Sequence, residues 1–153
     1  MMPTITNAIC ATFKDEVMGG THDLDASGDT LKIALIKNLE SLAVDSFGVE
    51  TTNYSDLTGN ANEATGSGYT AGGATLAGQV VANDGSTAYL DFTDASWTID
   101  GIVTAGGALI YNSSQGNKAI AVIDFGSAKT ANNQTFVIEF PEASASTAII
   151  RSN

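Results

Sequence analysis

The hydrophobic residues at the start of the chain recur with the spacing of an amphipathic helix. Ile9, Phe13 and Val17 follow one another at every fourth position, which places their side chains on one face. Two consecutive glycines come after this stripe, and glycine readily adopts the left-handed conformation that ends a helix. We therefore predict an N-terminal helix or arm over residues 1–20.

After residue 20 the pattern changes to short apolar runs separated by turn residues. Several runs alternate hydrophobic with polar positions, as Leu31, Ile33 and Leu35 do in a strand expected to bury one face. Seven strands are predicted in this way, at residues 30–37, 75–82, 87–92, 107–111, 119–125, 135–140 and 147–151. Short strands at this spacing, without helical periodicity between them, predict an all-β fold, an antiparallel β-sandwich of jelly-roll or immunoglobulin-like type.

Two kinds of connection link the predicted strands. Residues 83–86 (Asn-Asp-Gly-Ser) and residues 112–118 carry the turn residues of hairpins. Residues 55–73 form instead a long polar stretch with many glycines, which predicts a surface loop. No internal repeat or change in composition marks a boundary, so we expect one domain over residues 1–153.

The charge of the chain narrows the classes of partner. Six Lys and Arg residues oppose 17 Asp and Glu residues, which gives a formal net charge of −11. Nucleic-acid binding requires a cationic surface and is not expected. No apolar run approaches the ~18 residues that span a membrane, and the N-terminal residues lack the pattern of a secretion signal. We therefore expect synthesis in the cytoplasm, with neither a nucleic acid nor a membrane as partner.

One segment carries the start of a calcium-loop pattern. Asp23, Asp25 and Asp29 surround Gly28 with the spacing of the first half of an EF-hand loop. Ala34 occupies the twelfth position, where an EF-hand has a bidentate glutamate, and the segment leads into a strand rather than a helix. We favour a solvated acidic turn, and keep a weak divalent-cation site at Asp23, Asp25 and Asp29 as the alternative.

The sequence offers few groups for catalysis or cofactor binding. His22 is the single histidine, so a Ser-His-Asp or Cys-His mechanism would have to use it. Cys10 is the single cysteine, and we expect it within the first helix rather than at its start, where a thiolate is stabilised. The glycines at 66 and 68 match a dinucleotide-binding pattern, but no helix is predicted after them. We interpret His22 as a polar linker residue and expect no enzyme activity, no catalytic residue and no cofactor.

Carboxylates and aromatic residues leave two alternatives open. Asp91 and Asp124 alternate with core positions, which predicts that both face outward and do not form the carboxylate pair of a glycosidase. A small acidic hydrolase would require a cleft that contains His22 or two buried carboxylates. Exposed Trp97 together with tyrosines would instead form a sugar-binding platform. The hydrolase alternative therefore predicts a cleft with these groups, and the sugar-binding alternative predicts an exposed Trp97.

Several segments, taken in order, resemble a group of small virion structural proteins of tailed bacteriophages. They are residues 5–16 (ITNAICATFKDE), 20–23 (GTHD), 30–35 (TLKIAL), 66–73 (GSGYTAGG), 108–113 (ALIYNS), 122–126 (VIDFG) and 148–151 (AIIR). The resemblance covers nearly the whole chain and lies in the combination, since no single segment is diagnostic. It implies a non-enzymatic component of the virion, above all a capsid decoration (cement) protein whose partner is the major capsid protein.

Under this resemblance the chain is expected to assemble on the outside of a capsid. Three copies would fit a local three-fold axis, so a homotrimer is expected. The N-terminal helix and residues 55–73 are the expected reaching elements, with Phe13, Gly66, Tyr69 and Gly72 as candidate assembly contacts. A role as a core anchor stays open for Phe13, as does turn formation for the glycines. The alternative function is a tail-associated structural module or a receptor- or glycan-binding module.

Overall fold

A computed structural model describes residues 2–43 and 45–152 of the chain. The α-helices within these residues are α1 (Ala11–Met18) and α2 (Tyr54–Thr58), and two short 3₁₀ helices lie at Leu39–Ser41 and Ser113–Gln115. The strands are β1 (Ala8–Ile9), β2 (Leu31–Ile36), β3 (Ala74–Thr75), β4 (Val80–Asp84), β5 (Thr87–Asp91), β6 (Ala95–Thr98), β7 (Ile102–Asn112), β8 (Lys118–Asn132), β9 (Thr135–Ile138) and β10 (Ile150–Ser152). Strands therefore dominate the structure, as the hydrophobic pattern predicts.

The strands form three antiparallel sheets. Strands β1, β8, β7, β2 and β3 lie in that order in a five-stranded sheet, whose centre is the long β7–β8 hairpin. Strands β10, β5 and β4 form a three-stranded sheet, and β6 pairs with β9. One hydrophobic cluster joins the three, and it includes Leu109, Leu90 and Trp97, one residue from each sheet. The chain has an all-β, sandwich-like fold with a helix near its N-terminus, which confirms the predicted fold class.

Strand β2 is buried on both faces, not on one as expected. Leu31, Ile33 and Leu35 point to one face, and each is at most 1% exposed. Ala34 and Ile36 point to the opposite face, and both are fully buried. The strand lies inside the sheet between β7 and β3, so both of its faces need apolar cover. This explains the apolar residue at position 36, which breaks the simple alternation.

The N-terminal helix is shorter than predicted. Residues 8–9 pair with β8 as a strand, and Cys10 is the residue that caps the start of α1. The amide of Cys10 donates to the carbonyl of Ile120 (2.9 Å), which continues the contact with β8 up to the helix. Of the predicted apolar stripe, Phe13 is buried, whereas Val17 is 42% exposed. Pairing with a strand distant in sequence therefore delays the start of the helix.

The strand boundaries differ from the predicted ones in several places, among them the start of β7 at Ile102 instead of residue 107 and the start of β10 at Ile150 instead of residue 147. The predicted strand at residues 75–82 is divided into β3 and β4, because Gly78 between them has φ +61°, a value that interrupts extended backbone. Strand β8 continues well beyond the predicted end at residue 125, since its second half pairs with the start of β7. Strand β6, of four residues, was not predicted.

Both predicted hairpins are present in the structure. Asp84 pairs with Thr87 across the first turn, where Gly85 has φ +59°. The second turn follows Asn112, whose side chain accepts hydrogen bonds from the amides of residues 114 and 115. The loop predicted over residues 55–73 begins inside α2 and is therefore shorter than expected. The turn residues had indicated the hairpins correctly because their conformational preferences are local.

Candidate functional site

The glycine-rich loop is held against the body of the protein by one carboxylate, Glu63. Its Oε2 accepts a hydrogen bond from the Tyr54 hydroxyl (2.5 Å), and its Oε1 accepts from the Tyr69 hydroxyl (2.8 Å) and the Gly72 amide (2.7 Å). The Tyr69 hydroxyl also accepts from the amide of Leu35 in β2 (2.9 Å). Glu63 is 7% exposed, so these bonds form away from water, where a donor left unpaired is costly. The carboxylate therefore fixes the loop to the five-stranded sheet.

Three tyrosines pack around this carboxylate. Tyr54 and Tyr111 stack with their ring centroids 4.6 Å apart, and the Tyr111 hydroxyl donates to the carbonyl of Gly72 (2.7 Å). Burial, together with the charge of Glu63, raises the pKa of Tyr111 to about 12. Burial also raises the pKa of Tyr54 and that of Tyr69. All three hydroxyls therefore stay protonated at neutral pH and remain hydrogen-bond donors.

Three of the four predicted assembly contacts lie in this loop. Gly72 is buried, Tyr69 is half-buried, and Gly66 is exposed. Gly66 has φ +153°, and a Cβ built on it would lie 2.3 Å from the carbonyl oxygen of Ile102. Glycine is therefore needed here for the close approach of two backbones. The loop packs onto the sandwich, with Gly66 on its exposed side, and its role as a reaching element stays a prediction.

Sequence reasoning did not single out Glu63. Its position in the sequence could have indicated it, because Glu63 is the one charged residue between residues 57 and 83. A charged residue within a long uncharged stretch is expected to have a specific partner when the stretch is buried. The partners themselves could not be found from the sequence, since Tyr54 belongs to α2 and Leu35 to β2.

His22 is buried, so its interpretation as a polar linker residue was wrong. Its side chain is fully enclosed, with Nε2 2.9 Å from Glu16 Oε2 and Nδ1 2.9 Å from Asn112 Nδ2. Because an amide nitrogen only donates, Nδ1 accepts from Asn112 and Nε2–H donates to Glu16. Glu16 also accepts a hydrogen bond from Lys118 (2.5 Å). Both ring nitrogens have partners, and neither is a hydroxyl or thiol that the imidazole could activate.

The acidic turn at residues 23–29 is held by hydrogen bonds to the carboxylate of Asp29. The Asp29 carboxylate accepts from the side chains of Asn112 (2.8 Å) and Gln115 (3.0 Å) and from the amide of Asp23 (2.9 Å). Burial raises the pKa of Asp29, but these bonds outweigh it and hold the pKa below its ordinary value. Within the part of the chain that the structure describes, no group of three or more His, Cys, Asp or Glu side chains is placed to hold a metal ion. The structure therefore does not assemble Asp23, Asp25 and Asp29 into a ligand set.

Glu16 is expected to make stability depend on pH in the acid range. Burial raises the pKa of Glu16, but hydrogen bonds from Lys118 and His22 outweigh it and lower the pKa below its ordinary value of 4.5. A lowered folded-state pKa stabilises the fold above the unfolded-state pKa, and this stabilisation is lost as pH falls through the folded-state value. We expect Glu16→Gln to reduce the free energy of unfolding by about 1 kcal/mol at about pH 6, and by far less at about pH 2.

Urea unfolding of both proteins at the two pH values measures this difference. Glu142→Gln is the matched control, because Glu142 is exposed and the same charge is removed. We expect the control to unfold as the unaltered protein does at both pH values. A Glu16→Gln effect of equal size at both pH values would show that the charge of Glu16 contributes nothing to stability.

Cys10 lies at the start of α1, not within the helix as predicted. It is fully buried, and its Sγ lies 3.8 Å from the carbonyl oxygen of Gly48. A helix N-terminus favours a thiolate, but burial is the larger effect and raises the pKa of Cys10 to about 12. The thiol is therefore protonated at neutral pH and acts as a packing residue.

Two buried carboxylates are found among the described residues, Glu63 and Asp91, and they do not converge. Asp91 was expected to face outward, but it is 1% exposed at the end of β5. Its Oδ1 accepts from the amide of Phe92 (2.9 Å), whereas its Oδ2 has no partner within the described part of the chain. Burial raises the pKa of Asp91. Glu63 lies opposite Ile36 of β2 in the five-stranded sheet, whereas Asp91 ends β5 in the three-stranded sheet.

Trp97 does not form an exposed aromatic platform. It is 7% exposed and packs against Tyr69, at 5.8 Å between ring centroids, and against Phe136, at 6.2 Å. Its ring therefore contributes to the core between the five-stranded and two-stranded sheets. The observation that would have favoured glycan binding, an exposed Trp97 beside tyrosines, is not present.

One continuous apolar surface is left open to solvent. A groove of about 370 Å³ lies between α1 and the three-stranded sheet, and we name it the α1 groove. Its apolar lining consists of Ile9, Phe13, Val17, Met18, Leu24, Val81, Leu90 and Ile150, with Ala88 and Tyr89. Met18 is 89%, Val81 51% and Val17 42% exposed. Apolar side chains gathered in one exposed surface indicate a site for a partner.

Phe13, the fourth predicted assembly contact, lies at the base of this groove. It is 5% exposed, and its ring packs against His22 at 5.0 Å between centroids. Phe13 is thus an intramolecular anchor, the alternative that the sequence left open. The exposed part of the α1 surface is formed by Val17 and Met18, which the sequence analysis had not selected as contacts.

Comparison of the chain with protein-family models, with curated proteins and with solved structures found no match. Among the described residues, no helix has the length and hydrophobicity to cross a membrane.

Proposed function

We propose that this chain is a non-enzymatic structural protein that binds a tailed-phage capsid shell and stabilises it as a decoration protein. The observation that carries the proposal is the α1 groove, an exposed apolar surface on an acidic molecule. The phage setting comes from the sequence resemblance. In this setting the chain is made in the host cytoplasm, becomes part of the virion and has the major capsid protein as its partner.

The rigidity of the molecule supports this role. A protein that joins neighbouring shell subunits has to transmit force without deforming. The Glu63 carboxylate ties the long loop to β2 through Tyr69, and the Glu16 carboxylate ties α1 to the start of β8 through Lys118. Buried, fully paired polar groups of this kind favour a single conformation over alternatives. Both α1 and the loop are therefore fixed parts of the body.

The size of the groove favours attachment by several copies. Complete burial of Val17, Met18 and Val81 would contribute at most ~1.5–3 kcal/mol for each side chain. A stable interface usually buries ~800 Å² on each partner, which is more than these side chains supply. A homotrimer on a local three-fold axis would present three grooves together and gain affinity from multivalency. Self-association is therefore part of the proposal.

Co-sedimentation with capsids that lack the protein tests the proposal. We expect the unaltered protein to pellet with the capsids, and imaging to show added density at three-fold or quasi-three-fold positions. Met18→Asp and Val81→Asp should each weaken binding about ten-fold or more, since each places a charge in the apolar contact at a cost above ~1.4 kcal/mol. Both side chains are exposed, so folding should be retained.

Matched controls separate the groove from the rest of the surface. Ile102→Asp and Val137→Asp introduce the same charge at residues that are 60% and 46% exposed and do not line the groove. We expect both controls to bind like the unaltered protein. Absence of capsid binding, with density confined to the tail, would refute the decoration role and favour the tail-associated alternative.

A further inference from the structure

We infer that the α1 groove binds a short protein segment in which apolar side chains are flanked by carboxylates. This inference rests on the proposed attachment function and adds the chemistry of the segment that occupies the groove. It follows from the charges at the rim of the groove, from their lack of partners and from the length of α1.

The two charged side chains that line the α1 groove are both positive. Lys14 of α1 and Arg151 of β10 line it, and no Asp or Glu does. These are two of only six basic residues in a chain with 17 acidic ones. The groove is therefore a local exception to the negative charge of the molecule, and it favours an acidic partner.

Both rim charges are available to a partner. Within residues 2–43 and 45–152, Glu16 forms an ion pair with Lys118 and a hydrogen bond with His22, and neither rim residue takes part in these contacts. Arg151 donates through one nitrogen to the carbonyl of Ser146 (2.7 Å). Its other guanidinium N–H groups can still bind a carboxylate, which Arg does with favourable geometry.

The length of the groove fits a peptide better than a lipid chain. Helix α1 has eight residues, which at a rise of ~1.5 Å each gives a wall ~12 Å long. About four residues of an extended peptide, at ~3.3 Å each, would cover this length. An acyl chain that spans half of the ~30 Å bilayer core is longer than the wall. The strong exposure of Met18 also suits a segment that lies over the groove rather than one enclosed by it.

Binding of two labelled peptides to the full-length protein tests the inference. The probes are fluorescein-labelled, end-blocked Glu-Leu-Phe-Leu-Glu and Lys-Leu-Phe-Leu-Lys, measured by fluorescence anisotropy. We expect the acidic peptide to bind at least ten-fold more tightly, and this advantage to shrink as salt is raised. The double variant Lys14→Glu/Arg151→Glu should reverse the preference, and Met18→Asp should weaken binding of the acidic peptide.

A control of equal charge completes the design. Lys37→Glu/Lys129→Glu changes the net charge by the same amount, and neither residue lines the groove. We expect this variant to keep the preference for the acidic peptide. Equal affinities for both peptides would overturn the inference. An unchanged preference in the Lys14→Glu/Arg151→Glu variant would also overturn it. So would a protein that binds neither peptide but self-associates, if Met18→Asp abolishes the self-association, because the groove would then be occupied by a second copy of the chain.

Capsid binding distinguishes this inference from the function on which it rests. If the unaltered protein binds capsids and shows no preference between the peptides, the attachment function stands and the acidic-segment inference fails. If it prefers the acidic peptide but does not bind capsids, the chemistry of the groove stands and the capsid proposal fails. If Lys14→Glu/Arg151→Glu loses capsid binding and the control Lys37→Glu/Lys129→Glu keeps it, the result supports both the attachment function and the acidic-segment inference.

Discussion

Replacement of Glu63 by alanine is expected to lower the free energy of unfolding by about 3–5 kcal/mol. The change removes the acceptor of three hydrogen bonds, from Tyr54, Tyr69 and Gly72. Each buried donor left without an acceptor costs ~1–3 kcal/mol, and for a protein of this size the total corresponds to a melting temperature lower by about 10 °C. Glu63→Gln should cost less, about 1–2 kcal/mol, because it keeps the shape and one acceptor oxygen.

Urea unfolding and thermal melting measured by circular dichroism test the Glu63 variants. Glu142→Ala is the control, since Glu142 is exposed, and it should change stability by no more than ~0.5 kcal/mol. Because the loop is fixed by this carboxylate, Glu63→Ala should also make residues 59–73 more sensitive to proteolysis. An alanine variant as stable as the unaltered protein would show that the tyrosine cluster does not depend on Glu63.

Replacement of Gly73 by alanine is expected to destabilise the protein by more than ~4 kcal/mol or to prevent folding. Gly73 has φ +72°, and a Cβ built on it would lie 1.8 Å from the carbonyl oxygen of Ile33 and 2.7 Å from the Cα of Ala34. These atoms belong to the backbone of β2, which is buried inside the sheet between β7 and β3 and has no room to move. The clash would separate β3 from β2, since Gly73 immediately precedes β3.

A second glycine separates the effect of the clash from the effect of φ. Gly85 has φ +59°, but nothing lies within 4 Å of a Cβ built on it. Gly85→Ala should therefore cost only the ~1–2 kcal/mol of a left-handed alanine. Urea unfolding of the two variants measures the difference. If both lose the same stability, the close approach of Gly73 to β2 is not what requires glycine there.

These expectations bear on where the protein can bind. Glu63 and Gly73 show that the glycine-rich loop is part of the folded body, so its accessible residues are those on its outer side, such as Gly66. The Glu16–His22 contact likewise fixes α1, which forms one wall of the α1 groove. Binding at the groove should therefore need little rearrangement of the backbone, and variants with exposed substitutions there report on contact rather than on folding.

The position of individual strands could be predicted largely because the signals are local. Alternation in β2 and β9 and turn residues such as Gly85 act on neighbours a few residues away. The limits of the elements could not be predicted in the same way. The start of α1 is set by the pairing of Ala8–Ile9 with β8, and the end of β8 by its pairing with β7. Both depend on residues distant in the sequence.

The candidate site depended even more on such distant contacts. Phe13, Gly66, Tyr69 and Gly72 were selected because they lie on the N-terminal helix and the long loop, the two elements expected to reach a partner. Val17 was placed on the apolar stripe of the predicted helix, yet it is 42% exposed, and Met18 beside it is 89% exposed. Which side of a short helix is covered is decided by the elements packed against it.

The sequence by itself determined the all-β class, the two hairpins and the strongly acidic character, because alternation, turn residues and charge are properties of neighbouring residues or of simple composition. Only the tertiary structure decided that His22 is enclosed, since one of its partners, Asn112, lies 90 residues away. It also decided that Glu63 anchors the loop and that an apolar groove with a basic rim remains open. Burial and hydrogen-bond partners are produced by packing between elements, and packing joins residues whose separation along the chain carries no signal of their contact.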